Sequence, residues 1–140
     1  MKALIKYAAA AAAGAAVAVG SIAYAQSASP PRAIVSLYRA APGHQEMLLQ
    51  WLAQQDRVGA SVGLPANQIY AHTDGDSWDY MMIAPVTTDA QDDAFDAAAR
   101  KMGVTSGPRA GLELRKHIAQ HTDTYTVGPM SAAQLLERLK

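Results

Sequence analysis

Three short stretches with a two-residue period, 33–40 (AIVSLYRA), 68–73 (QIYAHT) and 78–84 (WDYMMIA), constrain this chain more than anything else in it. Alternate residues of a strand point to opposite sides, so each stretch must present one set to a covered face and the other set elsewhere. A proline–glycine turn at 41–43 follows the first stretch. After it Met47, Leu48, Trp51 and Leu52 recur at helical spacing until Gly59, Gly63 and Pro65 break the pattern. Asp74, Gly75, Asp76 and Ser77 form a turn between the second and third stretches, because aspartate and glycine accept the backbone angles that tight hairpins demand.

The rest of the chain continues the alternation of elements. Thr88 and Gln91 make a capping-box pattern ahead of a helix with Asp89, Asp92, Asp93 and Asp96 near its positive end, and its expected buried face is Ala94, Phe95, Ala98 and Met102. Residues 107–121 read as a further helical segment starting near Arg109, which would put His117 and His121 one turn apart. Residues 122–127 read as a fourth strand. Ser131 and Gln134 cap a short last helix with Leu135, Leu136 and Leu139 expected inward.

Leaving the extra helical segment aside, the order is strand, helix, strand, strand, helix, strand. This predicts an α+β fold of ferredoxin-like βαββαβ type, with a four-stranded antiparallel sheet and its helices on one face. On that order, the Pro42-Gly43-His44 turn and the WDYMMIA segment after a tight hairpin, the chain resembles the dimeric α+β barrel superfamily over residues 33–129. The resemblance implies a homodimer whose sheets pair into a barrel. It also implies a small-molecule pocket between sheet and helices or inside that barrel. Its chemistries include cofactor-free monooxygenation, haem degradation, isomerisation, cyclisation and plain ligand binding, among which a fold does not choose.

The N-terminus carries an export pattern. Lys2 and Lys6 precede an alanine- and valine-rich run from Tyr7 to Val19, and Ala23-Tyr24-Ala25 is a small-residue cleavage site ahead of Gln26. Gly14 and Gly20 interrupt the run, which suits a removable signal better than a membrane anchor. The expected organisation is a secretory signal at 1–25, a flexible lead-in at 26–32 and one α+β domain at 33–140, acting in the periplasm or outside the cell and free of the membrane after cleavage. Removal of the signal leaves ten basic side chains against twelve carboxylates and no basic stripe, so nucleic acid is not an expected partner. With no cysteine, disulfides and thiolate chemistry are excluded.

Alternation also suggests where chemistry would sit. Val35, Leu37, Ile69, Ala71, Met81 and Ile83 form an aliphatic set, expected to pack on the helices. The opposite set, Ser36, Tyr38, Tyr70, His72, Trp78, Tyr80 and Met82, is aromatic with polar tips. As a ligand chamber it would use His72 as acid or base with Tyr70 and Tyr80 as catalytic partners, and Tyr38, Trp78, Met82, His121 and Tyr125 as ligand-binding residues. Asp123 is placed to orient His121. As a dimer interface the same set would serve packing alone.

Asp74, Asp76 and Asp79 are read as turn formers, and His117 with His121 lacks a third ligand nearby, so no metal site is expected. No cofactor is expected either, although haem remains compatible with an exposed histidine. The leading reading is an exported enzyme acting on an aromatic or hydrophobic small molecule by monooxygenase-, cyclase- or lyase-like chemistry. The alternatives are a periplasmic protein that binds a ligand or haem without transforming it, told apart by saturable binding with no product, and an interaction module with a filled interior.

Overall fold

The computed structural model describes residues 31–140. The expected export signal and most of the expected lead-in fall outside the described residues. Eight elements follow in order: β1 (Arg32–Ala40), α1 (Gln45–Ser61), β2 (Gln68–Ala71), β3 (Tyr80–Pro85), α2 (Asp89–Lys101), α3 (Pro108–Arg115), β4 (Ile118–Val127) and α4 (Ala132–Glu137). The strands form one antiparallel sheet in the order β2-β3-β1-β4, the interleaved order of a ferredoxin-like fold. Among the described residues no helix is long and apolar enough to cross a membrane.

Local chemistry explains where the helices begin. Gly43 at φ +78° turns the chain out of β1, a conformation that costs glycine little, and α1 starts directly after His44. At α2 both halves of the capping box form: Thr88 Oγ1 accepts from the Gln91 amide and Gln91 Oε1 accepts from the Thr88 amide. Asp89 and Asp92 in the first turn and Arg100 and Lys101 in the last suit the helix dipole at both ends. The box at Ser131 and Gln134 forms as well.

Two buried clusters hold these parts together. Leu48 and Leu52 of α1 lie on Tyr38 and Ala40 of β1, with Trp51, Tyr80, Met82, Leu114 and Ile118 packed around them. Val58 of α1 meets Ala99 of α2 and Val104 beyond it, with Phe95 and Ala98 alongside. The small Ala99 lets the two helices approach closely. Met102, expected on this buried face, is instead 47% exposed, and Ala94 is exposed too.

Three further expectations are corrected, two of them by long-range strand pairing. The helical segment expected over 107–121 ends at Arg115, because residues from Ile118 onward pair with β1 (Ala40 with Ile118, Arg39 with Gln120, Tyr38 with His121). His117 and His121 therefore do not share a helix, and β4 is four residues longer at its start than the sequence pattern suggested. The leucines of α4 do not turn inward: Leu135, Leu136 and Leu139 are exposed, Leu139 at 83%.

The third correction concerns the faces of the sheet. Val35 pairs with Ile83 and Leu37 with Met81, so the aliphatic set holds for β1 and β3. Across β2 and β3, however, Tyr70 pairs with Met81 and Ala71 with Tyr80. In an antiparallel pair the partners' numbers add to a constant, and here that total is odd, so even-numbered β2 residues share a side with odd-numbered β3 residues. Tyr70 and His72 consequently sit on the opposite side from Tyr80. The helices, moreover, cover the side of Tyr38, Ser36, Tyr80 and Met82 and leave Val35, Leu37, Met81 and Ile83 half-buried. An aromatic ring buries as much apolar area as an aliphatic side chain, so the aliphatic set had no special claim on the helices.

Leu48 is fully buried, and its replacement by alanine leaves a cavity under Tyr38. The Leu48→Ala protein should lose about 2–5 kcal/mol in urea unfolding. Leu136→Ser on the exposed face of α4 should stay within about 0.5 kcal/mol of the parent.

Candidate functional site

Pairing across the sheet arranges the helix-side residues in rows. One row runs Ala71, Tyr80, Tyr38, His121; the next runs Ile69, Met82, Ser36, Asp123; a third contains Ala84, Ile34 and Tyr125. Helix α1 covers the rows over β1 and β3 through Leu48, Trp51 and Leu52. Over β4 the rows are open: His121, Asp123 and Tyr125 are exposed, Tyr125 at 67%. The helix-covered rows thus end, on the edge strand, in three exposed side chains that carry polar groups.

Along that edge the polar groups are connected. Ser36 is 2% exposed, and its hydroxyl donates to Asp123 Oδ1 at 2.6 Å. A buried hydroxyl without a partner would be costly, and the carboxylate supplies one. The other carboxylate oxygen, Oδ2, lies 3.4 Å from His121 Nε2. That separation is long for a hydrogen bond and is a charge contact that strengthens as the imidazole takes up a proton. The His121 ring lies nearly parallel to the Tyr38 ring, at 13° with centroids 6.1 Å apart. Asp123 thus lies on the Nε2 side of the His121 ring.

The neighbouring phenols are held neutral. Burial pushes the Tyr38 hydroxyl above the ordinary tyrosine range; the Ser36 side chain offsets part of this and the Asp123 charge adds to it. Tyr80 is also raised, mainly by burial and secondarily by the Asp79 carboxylate. Both remain O–H donors in neutral solution, the form needed to stabilise negative charge developing on a ligand oxygen.

The sequence reading placed Tyr70, His72 and Tyr80 together, and the structure separates them. Tyr70 lies on the open side of the sheet, where its hydroxyl donates to Gln68 Oε1 at 3.3 Å. His72 packs against Trp78 with ring centroids 4.8 Å apart and the rings tilted by 46°. Its Nε2 is buried with no polar partner, and a Cβ built on Gly75 would lie 3.9 Å from it, so the hairpin turn closes over the ring. Trp78 also lines a shallow recess of about 200 Å³ with Leu37, Arg39, Asp76, Gln120 and Thr122. Met82 is part of the core packing.

The hairpin aspartates act as structural groups. Asp79 Oδ2 accepts from the Ala40 amide at 2.7 Å, and Asp76 Oδ1 accepts from the Ser77 amide. His117 meets His44, not His121. A second cavity of about 280 Å³ lies between α1, α2 and the sheet, lined by Ile34, Ala84, Gly59, Phe95 and Gln55. The buried Gln55 Nε2 has no partner, and no sequence signal marked it.

No protein-family profile and no curated protein matches this sequence. Solved structures do match. Rv0793 from Mycobacterium tuberculosis superposes with a TM-score of 0.50 at 10% identity, over 73% of this chain and 98% of that one. SnoaB, a cofactor-independent oxygenase from Streptomyces nogalater, gives 0.49 at 17% identity, over 74% and 97%. A dimeric ferredoxin-like protein of unknown function from Thermobifida fusca gives 0.47 at 13%, over 71% and 92%. At such identities the likeness establishes architecture alone: the chain has the ferredoxin-like fold from which dimeric α+β barrels are built, as the sequence resemblance implied.

Because the folded state favours neutral Tyr38, its contribution is fully present below the unfolded tyrosine value near pH 10 and is lost as pH rises through the raised value. Tyrosinate absorbance should show a late-titrating phase that Tyr38→Phe removes, and the variant's stability should fall less steeply than the parent's above about pH 10.

Proposed function

We propose that the chain is an exported enzyme that moves a proton on a small aromatic or hydrophobic substrate bearing a carbonyl or phenol oxygen. The observation that carries this reading is Asp123, which bridges the buried Ser36 hydroxyl and His121 Nε2 at the open end of the Tyr38 row. His121 Nδ1 is the acid or base. Asp123 lies against the ring's Nε2 and is the carboxylate that would hold the imidazole during proton transfer. Tyr38 and Tyr80 are the donors to the substrate oxygen, and the exposed Tyr125 ring supplies apolar wall. Removal of a proton beside a carbonyl, or from a phenol, is the step that cofactor-free oxygenation, cyclisation and lyase reactions have in common. This reading moves the proton transfer from His72, which is closed in under its own turn, to His121.

Haem does not fit this arrangement well. A histidine usually ligates haem iron through Nε2, the nitrogen that faces Asp123 here.

The test uses protein recovered from the extracytoplasmic fraction, whose intact mass should place its first residue at Gln26. It is offered a panel of phenols and polycyclic ketones, with product mass and oxygen uptake followed. His121→Ala should cut turnover by about 100-fold or more while leaving ligand affinity nearly unchanged, the range expected for removal of a general acid or base. Asp123→Asn should cut it by a smaller factor, and His72→Ala should leave it intact. Saturable binding with no product from any compound would favour a binding protein, and a loss confined to His72→Ala would overturn the assignment.

The reading includes a homodimer. Val35, Leu37, Met81 and Ile83 make an apolar strip on the sheet's open side, and such a face is stable in water when another layer covers it. A second copy placed there closes the barrel. Light scattering should report a dimer for the parent and a monomer for Leu37→Glu; a parent that stays monomeric at high concentration removes this part of the reading.

A further inference from the structure

On the open side of the sheet Arg39 stands opposite Gln120 and Leu37 opposite Thr122, two neighbouring rows of β1 and β4. The turn between β2 and β3 folds over these rows. Asp76, Ser77 and Trp78 of that turn line one recess of about 200 Å³ together with the four strand residues. His72 packs against Trp78 and is itself covered at Gly75, so the indole is backed by ordered structure. Trp78 and Leu37 are half-buried and supply the apolar part of the recess.

The charged groups here are of opposite sign and are not spent on each other. Arg39 and Asp76 line the same space, yet among the described residues the ion pairs are Lys116–Glu113, His121–Asp123 and Lys140–Glu137. Asp76 Oδ1 accepts from the Ser77 amide at 2.6 Å, which leaves Oδ2 for another donor. The cation stands on the sheet and the carboxylate on the turn above it. A molecule lying between them meets both charges.

We propose that this recess binds a compact zwitterion, a free α-amino acid with an apolar side chain. The ligand's carboxylate pairs with the Arg39 guanidinium, whose planar fork suits two parallel bonds, and Gln120 and Thr122 are further donors beside it. Its ammonium pairs with Asp76, and its side chain lies against Trp78 and Leu37. A ligand with one charge leaves the other end of the recess unanswered, so selection acts on the pair. At about 200 Å³ the space is smaller than the roughly 300–1,000 Å³ of sites for drug-sized molecules, which limits the ligand's size. Leu37 is shared with the strip proposed to meet a second copy, but Arg39 and Asp76 are not. The recess shares no residue with the His121–Asp123 pair and does not depend on the function proposed for it.

The experiment titrates the purified, ligand-free protein with L-leucine and L-phenylalanine, by calorimetry and by tryptophan emission. The chain has two tryptophans, and Trp51 packs on the core beneath α1, so a change in emission reports Trp78. The expected result is one molecule per chain, with an emission change that Trp78→Phe removes. L-leucinamide lacks the carboxylate and N-acetyl-L-leucine lacks the ammonium. Each should bind about tenfold more weakly than L-leucine, the scale of one hydrogen bond to a charged group. Arg39→Gln should erase the advantage of L-leucine over its amide. Asp76→Asn, which keeps an acceptor for the Ser77 amide, should erase its advantage over the acetylated form. His121→Ala should bind L-leucine as the parent does, so failure of the His121 assignment leaves this result standing. If neither amino acid binds at millimolar concentration, or if acid, amide and acetylated forms bind alike, the proposal is wrong.

Discussion

The pairing of β1 with β4 sets Tyr38 against His121 and Ser36 against Asp123, and the candidate site exists only in that register. A slip of one residue would move the whole β4 row to the other side of the sheet, because side chains alternate with a period of two. Leu48 and Leu52 then fix which side receives the helices by closing over Tyr38. Once the tyrosine is buried, Ser36 beside it must find a polar partner, and Asp123 is the one the register supplies. The carboxylate's second oxygen is then spare and faces His121. Packing, hydroxyl satisfaction and histidine orientation follow in sequence from one strand pair.

Most of the fold was legible because its signals are local. Both capping boxes, the Gly43 turn and the helical spacing of Leu48 and Leu52 depend on residues a few positions apart, and each forms as read. What escaped the reading depends on distant partners. Ile118 to His121 carry a pattern compatible with helix, and only the unpaired edge of β1 makes them strand. The phase of β2 against β3 was equally out of reach, since it depends on which residues the hairpin places opposite one another. A pattern fixes the two sides of each strand but not which side of one strand meets which side of the next.

The same limit divides the site. Asp123 beside His121 was legible from closeness in sequence alone; that the two share one side of a strand was not, because His121 was read as the end of a helix. Tyr38 was found among the aromatic residues, and its burial against α1 was not foreseen. The grouping of Tyr70 and His72 with Tyr80 failed for the reason that Ile69 and Ala71 failed: one wrong phase carries all four residues with it. Gln55 and the His44–His117 contact had no readable signal, since each depends on helix packing or loop placement.

Strand β4 shows how little apolar patterning was available to choose its register. On the open side it carries Gln120, Thr122, Thr124 and Thr126, opposite Arg39, Leu37, Val35 and Ala33. On the helix side it carries His121, Asp123 and Tyr125. Neither row is strongly hydrophobic, and a strand with two such rows is weakly held in place by burial. Polar contacts therefore have to supply the discrimination. Thr126 Oγ1 donates to Ala33 O at 3.1 Å, the Ser36 hydroxyl donates to Asp123, and the Tyr38 ring meets His121. A strand slipped by one residue would set Ser36 beside a threonine, exchanging a charged acceptor for a neutral one at a loss of roughly 1 kcal/mol. The residues that carry the proposed chemistry are thus also the ones that tell β4 where to pair, so the acid/base pair is assembled by the same contacts that complete the sheet.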